Sequence, residues 1–459
     1  MCSYPANAQS SAVIVHRAVI GGLTPGSNLL YRVAGSAEAS PAILARAPPP
    51  IGPDVPVVFL AAGDTGEDVH KHAKSPGAGA CMARATAERE AAFFLHLGDL
   101  AYADGRPEYW EAFMSLIQPL AQRAPFMVAA GNHEVGWTSG APGTRDAAGV
   151  AEPYRPSWGN YGNDSGGECG VPTAARFVAP ALPTQGSVWT EGGAEGVEVG
   201  PRAVGYLPNP TLVQPPSSES GSPGAESRPS SPFSPGAESR LSSPFSPGAS
   251  FTFGAANPPF WYSFATGSLH VSVLSSEHSL EPGSPQLAWL GRDLSSADRC
   301  RTPWAALAVH RPLRTPYGSP NAEIGEHLAA SLEPLVDHYQ VDLVLSGHVH
   351  SYARSCPLSE GACRGQGAVH LTVGTGGRKL SKRRAEEVAW LRAAEQEWGY
   401  LRASLPSGKR MVLEFVGAET GQVLDSLEVV NERAGGRPCA ANADVPAYDG
   451  RRHALLRAW

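Results

Sequence analysis

The chain has 459 residues, 42% hydrophobic and 17% charged, enough for one large core with appendages. Its 36 basic and 43 acidic side chains give a net charge of −7, and no basic stripe marks it as a nucleic-acid binder. No apolar run reaches the roughly 18–20 residues a membrane-spanning helix needs, so a membrane partner is not expected either.

Residues 1–48 carry two β-like runs, VIVHRAV and NLLYRVAG, separated by the turn Leu23-Thr24-Pro25-Gly26. Two strands are marginal alone, so this segment reads as a truncated β-sandwich fragment. Ala47-Pro48-Pro49-Pro50 then forms a stiff linker. The N-terminal MCSYPANAQSSAVIV lacks the charged start and long apolar stretch of a signal peptide.

Residues 53–430 read as one domain. Short apolar runs alternate with longer segments: VPVVFLAA, AAFFLHL, PFMVAA, HVSVLSS, WAALAV and VDLVLS are strands, while Cys81–Glu90, Glu108–Gln122 and Ala322–Tyr339 are helix-like. Strands apolar throughout indicate a sheet covered on both faces, hence a layered α/β sandwich. MVLEFVGAETGQVLDSLEVV adds two strands around Glu419-Thr420-Gly421 that extend the sheet. Residues 180–255 interrupt the domain with a Ser/Pro/Gly-rich insertion, in which SPGAESRPSSPF (Ser222–Phe233) is followed by SPGAESRLSSPF (Ser234–Phe245). Its lack of apolar residues argues for a disordered insertion rather than a solenoid. The tail, 431–459, reads as irregular, and the basic run Arg378–Arg384 reads as a solvated loop or helix face.

The seven cysteines form no CxxC metal pattern. Cys356 and Cys363 lie near enough in sequence to close a small loop, which suits an oxidising compartment. Asn163-Asp164-Ser165 is a glycosylation sequon, a pattern that chance produces often.

Five apolar runs end in residues that bind metals: GDTG (Gly63–Gly66), GDLAY (Gly98–Tyr102), GNHE (Gly131–Glu134), LAVH (Leu307–His310) and GHVH (Gly347–His350). In open α/β sheets, ligands bind beyond the carboxyl ends of strands, and glycine permits the sharp turn needed there. One Asp or Asn after a strand is more often a turn or helix cap. All five together supply Asp64, Asp99, Tyr102, Asn132, His310, His348 and His350, a full donor set for two ions. These oxygen and imidazole donors exclude a Cys-rich structural zinc site, and Asp99, between two groups of donors in the chain, is the natural bridging carboxylate. Two ions roughly 3.5–4 Å apart suit phosphoryl displacement. His70, His72, His96 and His278 read as satisfied polar groups.

With these motifs, and with NDSGGECGVP, FWYSF, VSVLSSEH, HRP (His310–Pro312) and YARSCPLSEGAC, the chain resembles the purple acid phosphatases, within the calcineurin-like metallophosphoesterases. The resemblance runs from about Val55 to Val430, the insertion aside, and implies an α/β/β/α sandwich preceded by the last strands of a fibronectin-like domain. Many dinuclear metallophosphoesterases begin with Asp-x-His; here Asp64-Thr65-Gly66 lacks that histidine, and Tyr102 takes its place with a phenolate suited to iron. The family implies Fe(III) at Asp64, Tyr102 and His350, and a second divalent ion (Fe, Zn or Mn) at Asn132, His310 and His348, bridged by Asp99. It makes His133 a catalytic phosphate contact that stabilises charge and protonates the leaving group. The expected function is hydrolysis of small phosphate monoesters at acidic pH by metal-bound hydroxide. Leu307 replaces the family's usual valine without consequence for ligation. Ser319 and Pro320 stand where plant members carry further pocket histidines, which leaves leaving-group specificity open. The competing readings are a metallophosphodiesterase or nucleotide pyrophosphatase and a catalytically silent cell-wall binding protein. Family members are exported, so a secreted, cell-wall or vacuolar glycoprotein is expected; the sequence does not set the oligomeric state.

Overall fold

The computed structural model describes residues 20–34, 39–70, 74–135, 164–180, 255–318, 320–382 and 385–431, with a few isolated positions before them. The chain divides into two units. The larger, residues 1–11, 19–188 and 251–459, holds every element named below; the smaller, 12–18 and 189–250, falls almost entirely outside the described residues. The insertion between Pro180 and Ala255, Asn163 of the sequon, His72, Ser319 and the tail beyond Asn431 also lie outside them.

The first strands, β1 (Asn28–Tyr31) and β2 (Ile43–Arg46), form an antiparallel pair in which Leu30 lies opposite Leu44. NLLYRVAG thus pairs with Ile43–Arg46, while most of VIVHRAV, the other strand expected here, lies outside the described residues. Tertiary anchors explain the choice. The Tyr31 hydroxyl donates to the Gln122 carbonyl (2.8 Å), and the Arg46 amide donates to the Arg123 carbonyl (3.3 Å), so both strands dock on one helix end.

The next strands, β3 (Val57–Ala62), β4 (Phe93–His96) and β5 (Phe126–Val128), are mutually parallel, linked by helices α1 (Ala78–Ala87) and α2 (Pro107–Ala121). In α2, Pro107 occupies the first turn, where its missing N–H costs nothing. Tyr109, Trp110, Phe113, Ile117 and Leu120 recur at helical spacing and form its buried face. Each such burial contributes roughly 1.5–3 kcal/mol. A short helix α3 (Val171–Arg176) follows.

The chain then builds β6 (Tyr262–Thr266), β7 (Leu269–Leu274), α4 (Pro285–Ser296), β8 (Trp304–Val309), α5 (Asn321–His338), β9 (Leu343–Ser346), β10 (Tyr352–Ser359), β11 (Ala362–Cys363), β12 (Ala368–Val373), β13 (Leu391–Glu395), β14 (Gly399–Ser407), β15 (Arg410–Gly417) and β16 (Val423–Val430). Two sheets result. One has the order β16-β15-β14-β3-β4-β5; the other runs β11-β10-β12-β9-β8-β7-β6, with β13 also on β10.

Side-chain alternation in a strand explains the layering. Along β8, Trp304, Ala306 and Ala308 join a core shared with β3, β4 and β15 of the other sheet, whereas Leu307 and Val309 join a second core with Trp289 and Leu290 of α4 and Leu328 and Leu332 of α5. The single covered sheet read from the apolar runs is therefore two sheets face to face with helices outside, the α/β/β/α order. The terminal strands extend the first sheet as expected, through β14, which inserts antiparallel between β3 and β15.

Candidate metal centre

The carboxyl ends of β3, β4 and β5 share one edge, and those of β8 and β9 share another, because each group is parallel. The Gly63 amide donates to the Val373 carbonyl (2.8 Å), joining the two sheets at these edges. The residues just beyond are conformationally costly. Asp64 (φ 60°), Asp99 (φ 54°), Tyr102 (φ 49°), Asp104 (φ 50°) and His348 (φ 65°) all adopt left-handed backbone, which L-residues avoid and which clusters at functional sites.

Asp64, Tyr102 and His350 form one group. The Tyr102 hydroxyl donates to Asp64 Oδ1 (2.9 Å) and lies 2.9 Å from His350 Nε2, which is 3.3 Å from the same Asp64 oxygen. His350 Nδ1 donates to the Lys379 carbonyl (2.9 Å), which leaves Nε2 with its lone pair turned inward. Burial first, then the charges of Asp64 and Asp99, hold the Tyr102 phenol well above its usual value. A phenolate there requires a strong positive charge beside it.

Asp99, Asn132, His310 and His348 form the other group. His310 Nε2 lies 3.3 Å from Asp99 Oδ1 and 3.2 Å from Asn132 Oδ1, and its Nδ1 donates to the Leu97 carbonyl (2.7 Å). His348 Nδ1 lies 3.0 Å from Asn132 Oδ1. The two groups touch through the His348 amide, which donates to Asp64 Oδ2 (2.7 Å). Asp99 is 2% exposed; burial works to raise its pKa, but His310, His133 and His348 outweigh that and hold it well below the carboxylate range.

His133 stands beside both groups, its ring 4.3 Å from that of Tyr102 and its Nε2 4.0 Å from Asp99 Oδ2. Its Nδ1 pairs with Asp104 Oδ1 at 2.7 Å. Burial opposes its protonation, but Asp99 and Asp104 raise its pKa to about 9.

Several residues the motifs left without a role support this arrangement. Glu134, fully buried, accepts N–H bonds from Asp99 (2.9 Å), Leu100 (2.8 Å) and Gly131 (2.9 Å), fastening the loop after β4 to the loop after β5. Asp164 accepts from Asn132 Nδ2 (3.0 Å) and so turns the amide oxygen toward the histidines. Glu168 accepts from the Gly105 amide and the Trp110 indole, steadying the turn that carries Asp104. Arg311 is buried and ion-paired with Glu277 (Nε to Oε1, 2.6 Å), with Nη1 3.0 Å from His348 Nε2. The sequence pattern could have flagged Glu134, Asp164, Glu168, Glu277 and Arg311, which all lie inside quoted segments, but not their pairings.

The basic run needs correction. Arg378 is not on a solvated face: its guanidinium lies 4.0 Å over the Tyr102 ring, and its amide donates to the Asp64 carbonyl (2.8 Å). Lys379 supplies the carbonyl that orients His350, while Arg383 and Arg384 lie outside the described residues. Cation–π attraction explains why an arginine folds back over the phenol. Of the histidines read as ordinary polar groups, His278 pairs with Ser275 Oγ (2.9 Å), whereas His70 Nδ1 lies 3.2 Å from Glu67 Oε1 without hydrogen-bond geometry and its ring stacks on Tyr109 (4.6 Å). His96 is only half satisfied: Nε2 meets Thr65 Oγ1 at 2.8 Å, Nδ1 has no hydrogen-bond partner among the described residues, and burial lowers its pKa to about 3, keeping the ring neutral.

The residues fit a two-ion centre. Donor atoms converge at 2.9–3.3 Å in each group, near the separation of two ligands that each sit roughly 2.0–2.2 Å from one ion. Glycines keep the space open. A Cβ at Gly98 would lie 2.5 Å from His310 Nδ1, one at Gly347 2.6 Å from Asp64 Oδ2, and one at Gly131 would strike Asp99 Oδ1.

Comparison with known proteins bears on the fold and the family. The calcineurin-like phosphoesterase family matches residues 57–188, and the iron/zinc purple acid phosphatase-like protein C family matches residues 367–426. "Probable inactive purple acid phosphatase 9" of Arabidopsis thaliana is 28% identical over 73% of this chain and 42% of its own length. Purple acid phosphatase 18 of the same plant is 26% identical over 80% of this chain and 58% of its own length. A nucleotide pyrophosphatase/phosphodiesterase of Hordeum vulgare is 25% identical, with 73% and 71% covered. The chain thus spans less than half the length of the first of these relatives. A purple acid phosphatase structure from yellow lupin seeds has the same fold, with a TM-score of 0.64, 23% identity and coverage of 90% of this chain and 61% of that one. In sequence the chain is similar to the purple acid phosphatases among the calcineurin-like metallophosphoesterases, and it shares their fold.

Proposed function

We propose that this chain hydrolyses phosphate monoesters at acidic pH, with two metal ions held by Asp64, Tyr102, His350, Asn132, His310, His348 and the bridging Asp99. The observation that carries this reading is the convergence of all seven donors with two imidazoles already presenting Nε2 inward. Four Arabidopsis relatives are named probable inactive, yet no donor that the chemistry asks for is missing here. Fe(III) is proposed for the Tyr102 group because a phenolate is a hard, anionic donor that suits a hard, highly charged ion. Fe, Zn or Mn in the divalent state suits the mixed imidazole, amide and carboxylate group. Bound there, the ions would supply an activated water and charge stabilisation.

The chain's own residues do the rest. Asp99 and Asp64 neutralise cationic charge in a buried pocket, and Asp104 holds the His133 ring so that Nε2 faces the substrate's phosphoryl oxygens. His133 thereby donates to developing negative charge and carries a proton for the leaving oxygen. Small phosphorylated molecules are the proposed substrates. The disulfides at Cys356–Cys363 and Cys169 support an oxidising, exported location.

Metal analysis with hydrolysis of an aryl phosphate and its bis-aryl diester tests the reading. Two ions per chain and a preference for the monoester are expected. A preference for the diester would favour the pyrophosphatase/phosphodiesterase reading suggested by the barley relative, and a metal-free protein inert to both would favour a binding role. His133→Ala should lower kcat by about 10²–10³-fold with both ions retained; a variant within threefold of the parent would remove His133 from the mechanism. Tyr102→Phe, loaded with iron, should lose the visible charge-transfer band. Persistence of the colour would exclude Tyr102 as the iron's phenolate.

A further inference from the structure

The loop after β12 brings one more charge to the centre. Gly376 and Gly377 lie tight against their neighbours: a Cβ would sit 2.5 Å from the Gly63 carbonyl oxygen at the first and 2.6 Å from Ala78 Cα at the second. Arg378 follows them, and its main chain is held on both sides. Its amide donates to the Asp64 carbonyl (2.8 Å), and its carbonyl accepts from the Trp398 indole (2.9 Å). Farther along, the Lys379 amide donates to the Lys74 carbonyl (3.0 Å) and the Ser381 amide to the His350 carbonyl (2.8 Å). The half-buried side chain folds over Tyr102, with its guanidinium carbon 4.0 Å from the ring centre. A cation repels the ions this site is proposed to gather, so ion binding does not explain its presence. Its place over the π face, where ring electrons attract positive charge, points to the phenol instead.

We propose that Arg378 is a positioning residue acting through Tyr102: its charge, held over the ring, draws electron density from the phenolate and leaves the ion bound by Asp64, Tyr102 and His350 more electron-poor. The inference rests on the two-ion reading above, with iron at that group. In a phenolate-to-iron charge transfer an electron leaves the ring for the ion. An ion on the phenol oxygen lies beyond the edge of the ring and so farther from the guanidinium than the ring itself. The cation therefore stabilises the electron more where it starts than where it ends, and moves the visible band to shorter wavelength.

The test is the visible spectrum of the iron-loaded full chain, with metal content by elemental analysis, for the parent, Arg378→Met, Arg378→Gln and Arg378→Lys. All are compared at one pH, because the His133 ring also lies against Tyr102, 4.3 Å away. In the Met and Gln variants the band should move to longer wavelength by on the order of 10–20 nm, the displacement that loss of a cation–π energy gives a visible transition. Iron content should be unchanged, and Arg378→Lys, which keeps the charge, should move the band less than either. Either neutral variant suffices if the other does not fold. An arginine that only packs would lower iron content or band intensity in all three variants alike and leave the band where it is. A band unmoved or at shorter wavelength in the neutral variants, or moved equally in Arg378→Lys, overturns the inference alone. A colourless iron-loaded parent overturns the iron–tyrosinate reading itself.

Discussion

Asp99→Ala is expected to empty the second ion position and to lower phosphatase activity by more than about 100-fold, the upper range for losing an outer-sphere partner and therefore a floor for losing a ligand. Three observations make this residue decisive. It is 2% exposed, its Oδ1 is 3.3 Å from His310 Nε2, and the same oxygen accepts the His133 amide at 3.0 Å. Without the carboxylate, His310, His348 and His133 crowd a buried pocket that has lost its nearest negative charge, so a cation and three imidazoles compete where they formerly had a counterion. Elemental analysis of the purified variant, with hydrolysis of an aryl phosphate, decides the matter. An Asp99→Ala protein that keeps two ions and its turnover would sink the assignment of the centre.

Glu134→Ala should damage the fold rather than the chemistry. The glutamate touches no donor group of the centre, yet its two oxygens accept the main-chain N–H groups of Asp99, Leu100 and Gly131. Removing them leaves three buried amides without an acceptor, at about 1–3 kcal/mol each. Part of that loss is offset, because burial and the neighbouring Asp99 push the Glu134 pKa to about 7, so its carboxylate carries a desolvation cost that alanine relieves. A net loss of about 3 kcal/mol remains, a large share of the 5–15 kcal/mol typical of a domain. For a domain of this size it corresponds to a melting temperature lower by about 4–6 °C. Thermal melting of metal-free parent and variant measures this, and a difference under about 2 °C would show that the three amides find other partners.

The two variants mark what is local in this protein and what is not. Strands β3, β4, β5, β8 and β9 could be read directly because each is a short apolar run ended by glycine or a polar donor, a pattern contained within about ten residues. Helices α1, α2 and α5 were legible from periodicity in the same way. Strands β10, β12 and β14 were not, since their place depends on pairing with segments far away in the chain: β12 runs parallel to β9, and β14 antiparallel to β3 across more than 300 residues. The pairing of β1 with β2 was not legible for a related reason, because it is anchored by the docking of Tyr31 and Arg46 on the end of α2.

The sequence by itself determined which donors end the strands, since the residue types and the glycines before them are written locally. Only the tertiary structure decided how those donors are held. Glu134 acts on amides 34 and 35 residues before it, Asp104 reaches His133 across 29 residues, Arg311 reaches His348 across 37, and Arg378 covers Tyr102 from a loop near the other end of the domain. Hydrogen bonds and ion pairs act over about 3 Å whatever the chain separation, so the outer support of the centre exists only once folding brings together the loops beyond β4 and β5 and, for Arg378, segments far apart in the chain.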